Sequence, residues 1–197
     1  MNDGQSLFLL IEAIQQGSES AFRQFYEQTK SRVFNLALGY VRKHEEAEEI
    51  TQDVFVEAFR SASAFKKDAS VTTWLYRITV NKSLDYLKHQ KRQKRFAFFT
   101  HLFDNQTGEA LDQLTEFLHP GIALENQEIA ARLFKAIDTL PDKQKTAYLL
   151  TKVEGLNNIE TANILVISVG AVESLLQRAT ENLRKQLASY YKTLRKP

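Results

Sequence analysis

Apolar residues in this chain recur every third or fourth position and almost nowhere every second. Over residues 20–43, Phe22, Phe25, Tyr26, Val33, Leu36, Ala37 and Tyr40 fall on one face of a 3.6-residue period, the buried stripe of a helix. No convincing alternating segment competes with that pattern. Seven glycines and three prolines in 197 residues leave too few turn-formers for an all-β chain. The spacing therefore predicts an all-α fold.

The same period, read with its punctuation, predicts the elements. A first helix covers 6–16 and stops at Gly17; the second covers 20–43. Gly39 inside the second costs it about 1 kcal/mol relative to alanine, a local weakness. The third, over 45–63, opens on Glu45, Glu46, Glu48 and Glu49, whose carboxylates complement the helix dipole. After the loop FKKDAS a long helix spans 71–95. Residues 96–128 then change character, with five phenylalanines, six acids, no Lys or Arg, and a break at His119-Pro120-Gly121. A connection that long is unusual inside one compact domain, so 96–128 reads as an acidic linker between two small helical domains, 1–95 and 129–197. In the second domain Ile129, Leu133, Ile137 and Leu140 line one helix. Pro141 starts the next, which runs through Ala147, Leu150 and Val153 to Gly155. A short helix follows Asn157 and Asn158, and Ser168 N-caps a last one from Val169 to near Tyr190.

A net charge of +2 conceals blocks of opposite sign. Residues 66–95 carry 9 Lys/Arg against 2 Asp/Glu, a net +7, and residues 96–128 carry none against 6, a net −6. Lysine and arginine bind phosphate in proportion to their number, and aromatic rings among them offer stacking platforms for unpaired bases. Phe65, Trp74, Tyr76 and Tyr86 lie among Lys66, Lys67, Arg77, Lys82 and Lys88. Any single aromatic there is better explained as core. The block as a whole points to nucleic acid, because its imbalance exceeds what solubility needs. The acidic third helix sets Ile50, Val54, Phe55 and Ala58 against Glu46, Glu49, Asp53 and Glu57, a solvated face or a dock for a basic protein.

The segment NIETANILVISVGAVESLLQRATENLRKQL has the spacing of a helix-turn-helix. Ala162 fits a close helix crossing, and Leu165, Ile167, Val172 and Leu176 can clamp the pair. Gly170, Ala171, Glu173, Ser174, Gln177 and Arg178 then face outward, where a major groove would be read. A helical hairpin in a small bundle fits the same spacing equally well. The turn carries Val166 where many such motifs use glycine; if the site needs a positive φ, a β-branched residue is strained there.

Nothing in the sequence favours catalysis. His44, His89, His101 and His119 are scattered without ligand-like spacing, there is no cysteine, and neither a glycine-rich phosphate loop nor a nucleophile elbow occurs. We therefore expect no cofactor and no metal. No apolar run approaches the roughly 18 residues of a membrane span, no secretory signal is visible, and a cytoplasmic location is expected.

The motifs AEEITQDVF, TWLYRITVNKSLDYL and LPDKQK…VEGL…VGAVESLLQRA occur here in that order. Together they make the chain resemble a bacterial sigma-70-family RNA polymerase sigma factor of the extracytoplasmic-function (ECF) group. Residues 1–95 are similar to its region 2 and 129–197 to its region 4. The resemblance implies a non-enzymatic promoter-specificity factor that binds core RNA polymerase through its β′ and β subunits and helps melt promoter DNA. It implies that Glu49, Gln52, Asp53 and Phe55 meet the polymerase. It implies that Lys66, Lys67, Ser70, Thr73, Trp74, Arg77, Asn81, Lys82 and Lys88 hold the unpaired −10 element. It places Ala171, Glu173, Ser174, Gln177 and Arg178 on the −35 element, and it implies an anti-sigma protein as regulator. Many relatives carry a basic residue at Glu173 and arginine at Leu175, so these departures, with Val166, bear on the strength of −35 binding. Two other readings fit the residues: a sigma-like decoy that sequesters an anti-sigma protein, and a stand-alone helix-turn-helix regulator.

Overall fold

The computed structural model describes residues 3–66, 69–103 and 127–194, with side chains over 4–66, 69–93 and 130–188. Every regular element among the described residues is helical. Helix α1 (Asp3–Gln15) ends at Gly17, whose φ of +87° is a left-handed conformation that glycine adopts without a Cβ penalty. Ser18 then caps α2 (Glu19–Val41), its hydroxyl accepting from the Ala21 amide at 3.3 Å. Arg42, also left-handed, closes α2 by donating its amide to the Leu38 carbonyl.

Helix α3 (His44–Ser61) follows after a single intervening turn and runs into a 3-10 turn over Ala62–Ala64. The Ala62 carbonyl accepts from Gln15 Nε2 at 2.8 Å, which ties the end of α1 to the end of α3. Helix α4 (Val71–Phe103) crosses all three and continues past Arg95, where the charge block had suggested an end. The backbone of 96–103, read from sequence as the start of the linker, belongs to this helix; the rest of that acidic stretch up to residue 126 lies outside the described residues.

These four helices close on a core of their own residues. Phe25, Val33, Ile50, Val54, Phe55 and Leu75 are among its buried members. Phe55 meets Tyr26 edge-on at 4.7 Å between ring centres and Phe25 at 6.1 Å.

The second domain comprises α5 (Gln127–Asp138), α6 (Asp142–Tyr148), α7 (Asn158–Leu165) and α8 (Val169–Leu194). Helix α6 widens into a π turn over Leu149–Val153, in which the Glu154 amide reaches back five residues to the Leu149 carbonyl. Gly155, with φ +73°, ends it.

A second apolar cluster joins Phe134, Ile137, Leu140, Leu149, Leu150, Ile164, Ala179 and Leu183 of this domain to Leu36, Tyr40, Tyr76 and Val80 of the first. At the joint a Cβ on Gly39 would stand 3.2 Å from Leu149 Cδ2. The glycine that weakens α2 locally thus faces Leu149 of the π turn, with little room between them for a side chain. No single helix among the described residues is long and apolar enough to cross a membrane.

Candidate nucleic-acid interface

The helix-turn-helix is built from its caps inward. Asn157 and Glu160 form a reciprocal capping box: the Glu160 amide donates to Asn157 Oδ1 at 2.9 Å, and the Asn157 amide donates to Glu160 Oε2 at 2.8 Å. Helix α7 ends at Val166, with φ 54° and ψ 48°, and the chain direction turns by 101° before α8. The glycine-like conformation that the sequence raised for this turn is therefore present and occupied by valine. Adopting it costs an L-residue roughly 1–2 kcal/mol.

Val172 and Ala162 are buried at the crossing, while Leu165, Ile167 and Leu176 are half-buried around it. Ser168 accepts from the Ala171 amide at 3.2 Å and starts α8. From there Glu173, Ser174, Gln177 and Arg178 stand together on solvent, with Ala171 half-buried beside them. Ser174 donates its hydroxyl to the Gly170 carbonyl, and Gln177 donates to Glu181 Oε1. Ile159, Val166 and Val169 are exposed apolar residues of the same motif, and Ile159 is one that the sequence reading does not assign.

The cation-rich strip on α4 is more divided. Ser70 acts as the N-cap, its oxygen accepting from the Thr73 amide at 3.0 Å and lying 2.9 Å from the Thr73 hydroxyl. Thr73 is buried by that arrangement, so it belongs to the start of the helix and does not present itself to a ligand. Trp74 is half-buried, its ring tilted against Phe65 at 5.1 Å. Lys66, Asn81 and Lys88 are exposed, and Lys67 lies outside the described residues. Lys88 pairs with Asp85 at 3.1 Å and Lys82 with Glu57 at 3.3 Å. Arg77 is half-buried and reaches α7: its Nε and Nη2 donate to the Asn163 carbonyl at 3.2 and 2.6 Å.

On α3, Glu49, Gln52 and Asp53 are exposed at helical spacing along one face. Phe55 does not join them. It is only 4% exposed, because Ile50, Val54, Phe55 and Ala58 form the buried stripe of the helix. Val56 (48% exposed) and Phe59 (54%) occupy the open face instead, and the Phe59 ring meets Phe22 edge-on at 5.1 Å.

The joint between the domains carries a set of polar contacts for which the sequence gave no signal beyond Gly39. The Tyr40 hydroxyl donates to Thr146 Oγ1 at 2.8 Å. The Lys145 ammonium, 5% exposed, donates to the Tyr40 carbonyl at 2.9 Å and to Asp138 at 2.8 Å, and Asp138 also pairs with Arg42. Burial pulls the Lys145 ammonium below its usual range, against the pull of Asp138. The Tyr76 hydroxyl donates to Glu154 at 3.1 Å. Burial pushes the Glu154 carboxyl up, opposed by that hydrogen bond and by Arg32.

Two helical domains, one with a helix-turn-helix whose reading face is open and the other with a cation-bearing helix, define a DNA-binding protein of modular build. Residues 25–93 match sigma-70 region 2, and residues 130–183 match sigma-70 region 4. The RNA polymerase sigma-H factor of Pseudomonas aeruginosa is 30% identical over 178 residues, covering 90% of this chain and 92% of that protein. The ECF RNA polymerase sigma-E factor of Haemophilus influenzae is 31% identical, covering 90% and 93%. The chain belongs to the ECF group of the sigma-70 family of RNA polymerase sigma factors. In fold it is similar to CnrH, solved in complex with the cytosolic domain of CnrY, with a TM-score of 0.66 at 22% identity over 93% of this chain and 98% of that one. It is likewise similar to the sigma factor RpoE of Bartonella quintana, solved with the anti-sigma factor NepR, with a TM-score of 0.60 at 22% identity over 85% and 96%.

Proposed function

We propose that this chain directs core RNA polymerase to promoters by reading a −35 element with α8 and holding the unpaired −10 strand along α4. The observation that carries this reading is the group Glu173, Ser174, Gln177 and Arg178, gathered on the open face of a helix-turn-helix. A helix of that kind fits the major groove, where a glutamate can accept from a cytosine amino group and an arginine can donate to guanine. Residues 1–95 act as the polymerase and −10 domain, 129–197 as the −35 domain, and the acidic stretch over 96–128 connects them.

Polymerase docks on the α3 face of Glu49, Gln52 and Asp53, extended by the apolar Val56 and Phe59. Lys66, Lys67, Ser70, Arg77, Asn81, Lys82 and Lys88 meet the melted strand, with Trp74 offering the exposed part of its ring for stacking. Thr73 supports this surface from inside the helix cap. The chain works by binding alone, in the cytoplasm, and an anti-sigma protein holds it in check. Binding energy on flipped bases offsets unstacking, which costs a few kcal/mol per base.

Transcription reconstituted from core polymerase, this chain and fragmented genomic DNA tests the reading. Promoter-dependent transcripts are expected, and Asp53→Ala is expected to suppress them by weakening polymerase binding. Absence of promoter-dependent initiation on every template sinks the reading.

A further inference from the structure

Two of the four exposed side chains on the reading face of α8 are already committed within the helix. The Ser174 hydroxyl donates to the Gly170 carbonyl at 2.9 Å, so its one proton is spent inward and only lone pairs face out. The Gln177 amide donates from Nε2 to Glu181 Oε1 at 3.3 Å. Glu173 and Arg178 carry no such partner among the described residues.

The sense of the Gln177 bond is set by chemistry. A carboxylate has only lone pairs to offer, so Glu181 takes a hydrogen and cannot supply one. The amide therefore turns its nitrogen towards Glu181 and its oxygen to the other side. One N–H is used in that bond, which leaves Oε1 as an acceptor and the second N–H as a donor. Adenine presents the matching pair in the major groove, its N6 amino group as donor and N7 as acceptor, and a glutamine amide meets both at once. Guanine presents two acceptors, O6 and N7, so an amide held this way sets oxygen against oxygen.

Glu181 is exposed and stands one helical turn beyond Gln177. An acid on a face that approaches phosphate repels it and lowers general affinity for DNA. What Glu181 adds there is selection between bases, through the repulsive arrangement it imposes on the wrong one.

We propose that Glu181 is a positioning residue that sets the base Gln177 reads: with Glu181 holding the amide, Gln177 selects adenine and rejects guanine. This role rests on the −35 reading given above, by which α8 enters a major groove, and adds to it one base and the residue that fixes it. Gln177 follows Glu173 by four residues, about 6 Å along the helix, so the adenine lies within about two base pairs of the base that Glu173 meets.

Selection from a random duplex library by holoenzyme, assembled from core polymerase and the full chain, tests the role. The captured duplexes are expected to share a motif in which one position favours adenine over guanine by roughly tenfold, the discrimination of one bidentate contact. Gln177→Ala is expected to level that position alone. Glu181→Ala frees the amide to turn over and is expected to bring adenine and guanine to near parity there. Lysine has hydrogens to give and no lone pair, so Glu181→Lys draws the Gln177 oxygen towards itself and leaves N–H groups facing out. The same position is then expected to change to guanine. Position 181 is exposed and lysine matches glutamate in helix propensity, so the fold is kept. The added cation raises affinity for every duplex alike, which is why the base at one position, and not the affinity, is the readout.

A selected motif with no adenine position lost in Gln177→Ala, or one that Glu181→Lys leaves unchanged, overturns the role of Glu181 and leaves the −35 reading standing. A change spread evenly over the motif in Glu181→Lys does the same, since that is the signature of charge or structure alone. Failure of the holoenzyme to select any duplex motif overturns both.

Discussion

The first domain encloses its core with its own residues, whereas the second completes its core with Leu36, Tyr40, Tyr76 and Val80 of the first. The aromatic cluster of Phe25, Tyr26 and Phe55 holds α2 to α3 whatever the second domain does. Leu149 and Leu150, by contrast, are fully buried in a cluster that includes Leu36 and Tyr40 of α2 and Tyr76 and Val80 of α4. The difference teaches that one domain is a rigid base and the other is a conditional partner whose stability depends on docking or on replacement cover.

Breaking each core separately is the sharpest way to test this. Phe55→Ala is expected to cost about 3–5 kcal/mol, as for other large-to-small aromatic substitutions, and to lower the whole urea transition because both domains rest on that base. Leu149→Ala is expected to cost about 2–5 kcal/mol, read mainly in a transition of the second domain. Equal and indistinguishable effects on one common transition would erase the proposed asymmetry. Asp53→Ala, two residues from Phe55 but exposed, should leave stability within about 0.5 kcal/mol.

Smaller changes act within the second domain. Asn157→Ala removes the capping box of α7 and is expected to cost about 1 kcal/mol by thermal melting. Val166→Gly is expected to stabilise by about 1 kcal/mol, because a left-handed conformation suits glycine. A loss of stability on that substitution would mean that the 75% exposed valine side chain makes a contribution its exposure does not suggest.

The smallest effect is electrostatic. Glu154 sits by Tyr76, with Arg32 and Glu160 nearby, and burial raises its carboxyl above the ordinary value of 4.5. A group raised on folding contributes stability below its unfolded value and loses it as pH rises through the folded one. The folded chain should therefore gain stability on acidification from above that raised value down towards 4.5, and Glu154→Gln should flatten this segment of the profile. A profile identical in both proteins would show that Glu154 is not the group responsible.

Much of the fold was legible because a 3.6-residue stripe needs no partner to be seen. Ser168, Pro141 and Gly155 marked ends that the structure keeps, and the turn at Val166 was flagged by its chemistry alone. The π turn over Leu149–Val153 has no composition of its own and was read as ordinary helix. Phe55 was assigned to a partner although its own spacing with Ile50, Val54 and Ala58 placed it in the stripe; Val56 and Phe59, one position off that register, were left unassigned. Thr73 was read as a ligand contact because a hydroxyl beside a cation suits DNA, yet its distance of three from Ser70 is that of a cap. The joint was the least legible. Arg77 and Lys145 bond to main-chain carbonyls, and a carbonyl leaves no mark on the residue that supplies it. Gly39 is the one trace: the sequence shows it only as a weakness of α2, and the structure sets Leu149 over it.

The enclosure of Lys145 gives the molecule a chemical reporter. An amine shut between Tyr40 and Asp138 cannot be reached by acylating reagents, whereas exposed neighbours such as Lys143 and Lys152 can. Brief treatment with an acetylating agent followed by peptide mass spectrometry would therefore record, on one lysine, how completely the joint shields that amine.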